Sequence, residues 1–376
     1  MTLHSSYHVS PGTASSLESL VDRIERAPGD MIDVREFAQR QEALDLERLA
    51  TTLPAGLSME DLGGILHLAL LTECATDSYA TAIRERAERF DATWLGRFID
   101  RVWVPDELTH HAPYKYMLMR LGFAEAELDQ KVKQTQEKAF VHYGGDTPVH
   151  VTTFGMVQEY LTDHWHGLIA RLLQQSAPHA AYMAQRIKRR ETLHTVWYRD
   201  MTALQIEAEP SFVTYVAEEL ARFRMPGNSL VPELQRKADN WLPLMGADMD
   251  RVIKDLLRLL HQVLGTPRLL GRLVVHLAAE KGIRLGPLTS RDVEVAVNGL
   301  GGPGYGLVGE AVLEMGGLSY LYGPRPGATR GMVPMGTRLS GTLRALLRTW
   351  LAGQMALRMG TLAGVAPAGS RSEAPA

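Results

Sequence analysis

The tetrad Glu-x-x-His occurs twice in this chain, as Glu107-Leu-Thr-His110 and Glu191-Thr-Leu-His194. Each copy is preceded by a further glutamate, Glu73 and Glu159, inside a long helical pattern. Residues three apart in an α-helix lie about 60° apart around its axis, so each tetrad sets a carboxylate and an imidazole on one face. A single tetrad is an ordinary surface pair and constrains little. The full order Glu, Glu-x-x-His, Glu, Glu-x-x-His constrains far more, being the ligand order of helical bundles that hold two metals among carboxylates. It requires four helices to meet with their glutamates at one depth.

The surroundings of these residues favour burial. Leu68-Ala69-Leu70-Leu71-Thr72 precedes Glu73, Val102-Trp103-Val104 lies ahead of Glu107, and Phe154-Gly155-Met156-Val157 ahead of Glu159. A carboxylate in such a run needs a partner, because an uncompensated buried charge is very costly. Two divalent metals would balance the charges of Glu73, Glu107, Glu159 and Glu191, leaving the pocket neutral. Carboxylate oxygens and imidazole nitrogens suit iron or manganese. Two histidines leave open positions that a closed structural zinc site would not have. Cys74 is the only cysteine, which excludes intrachain disulfides and cysteine-based metal sites.

Hydrophobic periodicity places these motifs on helices. Two shorter helices are expected between residues 16 and 49. Ser58, with Asp61 in the capping-box position, opens a long helix over 58–90. A second long pattern covers 92–121, with interruptions expected at Pro105 and Pro113, and a shorter helix spans 125–140. Long helices follow over 150–175 and 178–206, then further helical stretches over 212–223, 231–242, 248–264 and 267–281. Residues 298–336 are rich in glycine and read as irregular structure. A last amphipathic helix over 338–359 carries Arg344, Arg348 and Arg358, which suits a surface or partner face. The expected fold class is all-α, a ferritin-like four-helix bundle core with additional N- and C-terminal helices. Its parts are a tail over 1–14, the bundle over 15–235, a helical and Gly-rich region over 236–365, and a tail over 366–376.

Composition narrows the setting. Hydrophobic residues make up 45% of the 376, ample for a core, and the net charge of −3 suggests no nucleic-acid partner. No charged segment followed by an apolar run marks a secretion signal, and no membrane span is expected. A cytoplasmic location is the expectation.

The motifs bear a resemblance that extends over residues 15–235. The segments Leu71-Thr72-Glu73, Asp106-Glu107-Leu-Thr-His110, Gln158-Glu159-Tyr-Leu-Thr162-Asp-His-Trp-His166-Gly167, Arg190-Glu191-Thr-Leu-His194 and Met225-Pro226-Gly227 resemble those of the soluble acyl-ACP desaturases, a ferritin-like di-iron family. The resemblance implies two iron ions held by Glu73, Glu107, His110, Glu159, Glu191 and His194. It implies O2-dependent C–H chemistry on an acyl chain borne by an acyl carrier protein, electrons from a ferredoxin-type donor, and a homodimer. Thr162 matches the family's threonine beside the metals, a catalytic proton-handling group; its other reading is a helical hydroxyl bonded back to a carbonyl. A hydroxylase or other oxidase on the same scaffold is the near alternative. A non-catalytic metal-binding bundle, with a partner docked at its C-terminal region, is the distant one.

The chain also departs from that family. Its members place an arginine before each tetrad histidine, where this sequence has Thr109 and Leu193, and Arg190 stands in place of an acidic residue. Groups behind the ligands tune a metal, so affinity or outcome is expected to differ. Arg186, Lys188, Arg189 and Arg190 form a basic cluster with two readings: a dock for an acidic carrier, or a solvated face with one arginine turned inward. His111 is a reserve ligand should the register slip. His166 shares the face of Glu159 and is expected to be structural, while Cys74 is expected to be a small buried hydrophobe.

Overall fold

The computed structural model describes residues 7–35 and 44–280, and no strand occurs among them. The architecture is an all-α helical bundle, as expected. Helix α1 (Pro11–Arg26) starts where Ser10 Oγ accepts from Thr13 N at 3.2 Å and Pro11 supplies a preset first turn. Residues 11–14, expected in the tail, are therefore helical. After α2 (Leu46–Thr52), the Ser58–Asp61 capping box opens α3 (Met59–Glu73), with Asp61 N donating to Ser58 Oγ at 3.1 Å and Ser58 N to Asp61 Oδ2 at 2.9 Å.

The helix expected over 58–90 is broken. It ends at Glu73 and resumes as α4 (Thr76–Arg89), the chain turning at Cys74 and Ala75. The hydroxyl of Thr76 caps the carbonyl of Glu73 at 2.9 Å, and Tyr79 OH reaches the carbonyl of Thr72 at 3.3 Å. Those two side chains satisfy carbonyls that the break releases.

The pattern over 92–121 resolves into α5 (Thr93–Phe98), a π-helical stretch (Ile99–Trp103), α6 (Val104–Glu107) and α7 (His111–Arg120). The wider π turn immediately precedes Pro105, which has no N–H to give to a regular ladder. The second interruption falls at Leu108–His110, one turn ahead of Pro113. Within α7, Pro113 occupies the first turn, where an amide has no intrahelical acceptor anyway.

The remaining helices are α8 (Glu125–Gln136), α9 (Pro148–Leu173), α10 (Pro178–Ala208), α11 (Val213–Arg222), α12 (Gly227–Leu230), α13 (Pro232–Leu244), α14 (Met249–Leu264) and α15 (Pro267–Glu280). The longest pair, α9 and α10, packs most extensively, while α3 packs on α7 and both sides of the bundle touch across α9 and α10. Leu62, Ile65 and Leu66 of α3, Leu168 and Ile169 of α9 and Ile187 of α10 are fully excluded from water. Burial of each contributes about 2 kcal/mol.

The boundary expected at 235 falls inside α13. That helix is tied to α3 by Trp241 Nε1, which donates to Asp61 Oδ1 at 3.0 Å, and α14 packs on α10. The bundle and the helices up to residue 280 are thus contiguous. The Gly-rich stretch, the helix expected over 338–359 and the tail over 366–376 lie outside the described residues.

Candidate metal centre

All six expected ligand residues meet in the middle of the bundle, each from a differently built piece of helix. Glu73 is the last residue of α3, Glu159 sits mid-way along α9, and Glu191 and His194 share a face of α10. Glu107 and His110 stand on the tight turn between α6 and α7, where Thr109 N bonds to Asp106 O and His110 N to Glu107 O. Such i,i+3 bonding brings side chains three apart toward one face, and His110 Nδ1 stands 3.3 Å from Glu107 Oε2. The close approach of α9 and α10 needs Gly155: a Cβ there would stand 2.7 Å from the ring of Tyr198.

Two overlapping groups result, Glu73–Glu107–His110–Glu191 and Glu107–Glu159–Glu191–His194, each with one donor atom per residue within 4.8 Å of the others. Glu107 and Glu191 belong to both. His110 Nδ1 lies 2.8 Å from Glu191 Oε1, 3.3 Å from Glu107 Oε2 and 3.7 Å from Glu73 Oε2. His194 Nδ1 lies 2.8 Å from Glu107 Oε1 and 3.5 Å from Glu191 Oε2. All six residues are at most 6% exposed, so water does not compensate them.

Yet His110 Nδ1, His194 Nδ1, Glu107 Oε1 and Glu191 Oε1 are buried without a hydrogen bond. Buried polar atoms left in that condition are rare and costly. Nitrogens and oxygens that crowd to within 2.8 Å without a well-directed hydrogen bond suit a shared cation, so the donor set fits divalent metal.

Residues behind the ligands hold them in place. Asp106 Oδ2 accepts from His194 Nε2 at 2.8 Å and from Arg190 Nε at 2.6 Å, and its Oδ1 lies 3.8 Å from His110 Nε2. This carboxylate therefore holds the His194 imidazole by a hydrogen bond and stands near that of His110, while Arg190 pairs with its charge. Arg190 is itself buried over the Trp197 ring. Gly29 closes above it in a left-handed backbone conformation (φ +78°), where a Cβ would stand 2.7 Å from Arg190 Nη1. Trp103, turned inward by the π-helical stretch, donates from Nε1 to Glu159 Oε1 at 3.0 Å. Thr162 bonds back to the carbonyls of Gln158 and Glu159, and its Oγ1 is also 3.4 Å from Glu191 Oε2.

Two of these roles, those of Asp106 and Trp103, were not assigned from sequence alone, although Asp106 stands in a quoted motif and Trp103 lies one turn before Glu107. His111 lies outside both groups.

Protonation within the cluster is strongly displaced. Burial lowers the pKa of His110 and His194, but the carboxylates around them outweigh it and hold both well above the usual histidine value. Burial, then the charges of Glu191 and Glu107, push Glu159 well above the usual carboxylate range. Glu191 moves the other way: burial opposes its ionisation, but His110 and His194 more than offset that. Asp106 is likewise held far down by the two imidazoles against its own burial.

A raised histidine value means stability fully present below about pH 6.5 and lost as the pH rises through the folded-state value. The raised Glu159 acts in the same direction. The chelated protein is thus expected to melt at progressively lower temperature as the pH is raised from about 6.5 to 9. Added divalent metal should restore more stability at the alkaline end, since its ligands give up protons to bind. Melting curves across that range test both slopes, and a chelated protein that grew more stable would contradict the assignment.

A family model described as fatty acid desaturase matches residues 36–241, a span that includes every residue of both groups. The chain belongs to the fatty acid desaturase family. No curated protein matches it. Among the described residues, no helix is long and apolar enough to cross a membrane.

This family member has a largely apolar cavity beside the cluster. Leu68, Ala69 and Leu161 line it from α3 and α9, Ala238, Leu242 and Val252 line it from α13 and α14, and Glu73 and Thr162 form the wall nearest the carboxylates. Helices beyond the expected bundle boundary thus complete the space that reaches the site.

The basic cluster ahead of Glu191 does not survive as a docking patch. Arg190 is buried on Asp106, Lys188 bonds to Asp163 at 2.7 Å, and Arg186 donates to Met31 O at 2.9 Å, which leaves Arg189 as the exposed member. Cys74 is buried, as expected.

Proposed function

We propose that this family member is an O2-dependent di-iron desaturase that inserts a double bond into an acyl chain carried on an acyl carrier protein. The observation that carries the reading is the meeting of two features: a dry set of donor atoms without hydrogen bonds, and an apolar cavity whose wall includes Glu73 and Thr162. Glu73, Glu107, His110, Glu159, Glu191 and His194 would hold the metals. A reduced iron pair supplies O2 activation, with O2, two electrons and two protons consumed and one alkane bond becoming an alkene with release of two waters.

The chain's own residues do the rest. The largely apolar lining suits a hydrocarbon chain and disfavours water that would quench a reactive site. Asp106 fixes the ring of His194 through Nε2, and Trp103 orients the Glu159 carboxylate. The Thr162 hydroxyl stands at the cavity wall within reach of Glu191 Oε2, where it can deliver a proton. A ferredoxin-type electron donor, the carrier protein, a homodimeric assembly and a cytoplasmic setting belong to the same proposal and rest on the resemblance to soluble acyl-ACP desaturases.

The test is incubation of iron-loaded protein with a reductant, O2 and a series of acyl-ACP substrates, followed by mass spectrometry. Loss of two hydrogens supports desaturation; gain of one oxygen atom would replace it with hydroxylation. O2 consumption with no change in any acyl product would sink the acyl reading. Thr162→Val should keep both metals and slow product formation on the order of 10²-fold, with O2 consumption falling less. Paired oxygen-electrode and product measurements read that ratio, and an unchanged ratio would leave Thr162 with only its backbone bonds.

A further inference from the structure

Three imidazoles, rather than the expected two, bring a nitrogen to the carboxylates. His166 of α9 is fully buried, and its Nε2 lies 3.2 Å from Glu73 Oε1 and 3.9 Å from Glu191 Oε1. That nitrogen makes no well-directed hydrogen bond, a condition it shares with His110 Nδ1 and His194 Nδ1. The opposite nitrogen, Nδ1, bonds to Tyr114 OH at 2.5 Å, and Tyr114 is itself fully buried. His194 repeats the plan, with Nε2 on Asp106 and Nδ1 beside Glu107 and Glu191. An imidazole anchored at one nitrogen, with the other bare and set among carboxylates, is how proteins hold a metal-binding histidine.

His166 stands outside both four-residue groups, but its spacing to Glu73 and Glu191 agrees with this. Two donors that share one first-row metal, each about 2.1 Å from it, stand no more than about 4.2 Å apart, and both His166 distances fall inside that limit. A histidine present only for packing would leave a buried nitrogen unsatisfied, at a cost of about 1–3 kcal/mol.

We propose that His166 is a further metal ligand on the Glu73 side of the centre, with Tyr114 as the positioning residue that orients its ring; this rests on the metal reading above. The two metal positions are then unequal. The one beside Glu73, and so beside the cavity, draws on His110 and His166, while the other draws on His194 alone. The positions should accordingly fill with different affinities.

Cobalt(II) titration of the full-length, chelator-stripped protein tests this, read by competition with a chelator and by ligand-field absorption bands. Wild type should take two ions in two distinguishable steps. His166→Gln should weaken one step at least about 100-fold and alter its bands, leaving the other step unchanged. Tyr114→Phe, which preserves the ring, should weaken the same step about tenfold with the bands retained. Both variants must show wild-type far-ultraviolet circular dichroism.

Two ions bound by His166→Gln with wild-type affinity and unaltered bands would overturn the proposal. Equal losses in the two variants with unaltered bands would also overturn it, since His166 would then act on Glu73 from outside the coordination sphere. Fewer than two ions in the wild type would instead defeat the metal reading itself.

Discussion

Glu191→Ala is expected to reduce bound metal from two ions per chain to well below one, and to abolish desaturation, while the helical signal stays near wild type. Glu191 belongs to both donor groups, with Oε1 2.8 Å from His110 Nδ1 and Oε2 3.5 Å from His194 Nδ1. Its loss takes a donor from each metal position at once. It also leaves three glutamates opposite two divalent ions, so the pocket would carry a net positive charge in a dry interior, which is very unfavourable.

Glu73→Ala makes the informative contrast, since Glu73 belongs to one group only. That variant should lose one ion and keep most of the other. Metal analysis of iron-reconstituted samples distinguishes the two patterns. Two ions retained by Glu191→Ala would show that the shared carboxylate is not a ligand.

The second large effect concerns folding. Arg190→Leu is expected to destabilise the protein by about 3 kcal/mol, because it strips a directly bonded guanidinium from a carboxylate that is 1% exposed. For a chain of 376 residues that lowers the melting temperature by about 4 °C. Breaking a buried pair costs more than replacing both members, so Asp106→Leu combined with Arg190→Leu should recover much of the loss.

The double variant should nonetheless bind metal about 10- to 100-fold more weakly, since His194 loses the acceptor that fixes its ring. Thermal melts and metal titrations on the same samples separate the two roles. A single Arg190→Leu variant as stable as wild type would show that the His194 imidazole suffices to balance Asp106.

Much of this molecule is legible in its residues, for identifiable reasons. The spacing of the two tetrads and of Glu73 and Glu159 depends on helical periodicity, a local property, and the apolar runs around them signal burial. The same locality made the capping box at Ser58 and the start of α10 at Pro178 readable within a residue or two. Breaks were less visible. Leu-Thr-Glu-Cys-Ala-Thr carries no proline or glycine, yet α3 ends within it, because Thr76 and Tyr79 satisfy the carbonyls that the turn releases. At Pro113 the residue was read as a kink within a helix, but its missing amide is cheapest in a first turn, and so the helix begins there.

The outer parts of the centre were beyond any local signal. Arg190 reads equally well as one of four surface cations or as an inward residue, and only its pairing with Asp106, 84 positions away, decides between them. His166 shares a helix face with Glu159, but its partners Tyr114 and Glu73 come from two other helices.

What the sequence by itself determined is which side chains face inward along each helix, and hence the six-residue donor set and the all-α class. Tertiary structure decided the rest: the tight turn that carries the first tetrad, the aspartate shared by His194 and Arg190, the approach of His166 to Glu73, and the cavity completed by α13 and α14. The physical reason is that periodicity sets direction within one helix, whereas distances between helices depend on how ridges, glycines and buried charges settle against one another when the bundle packs.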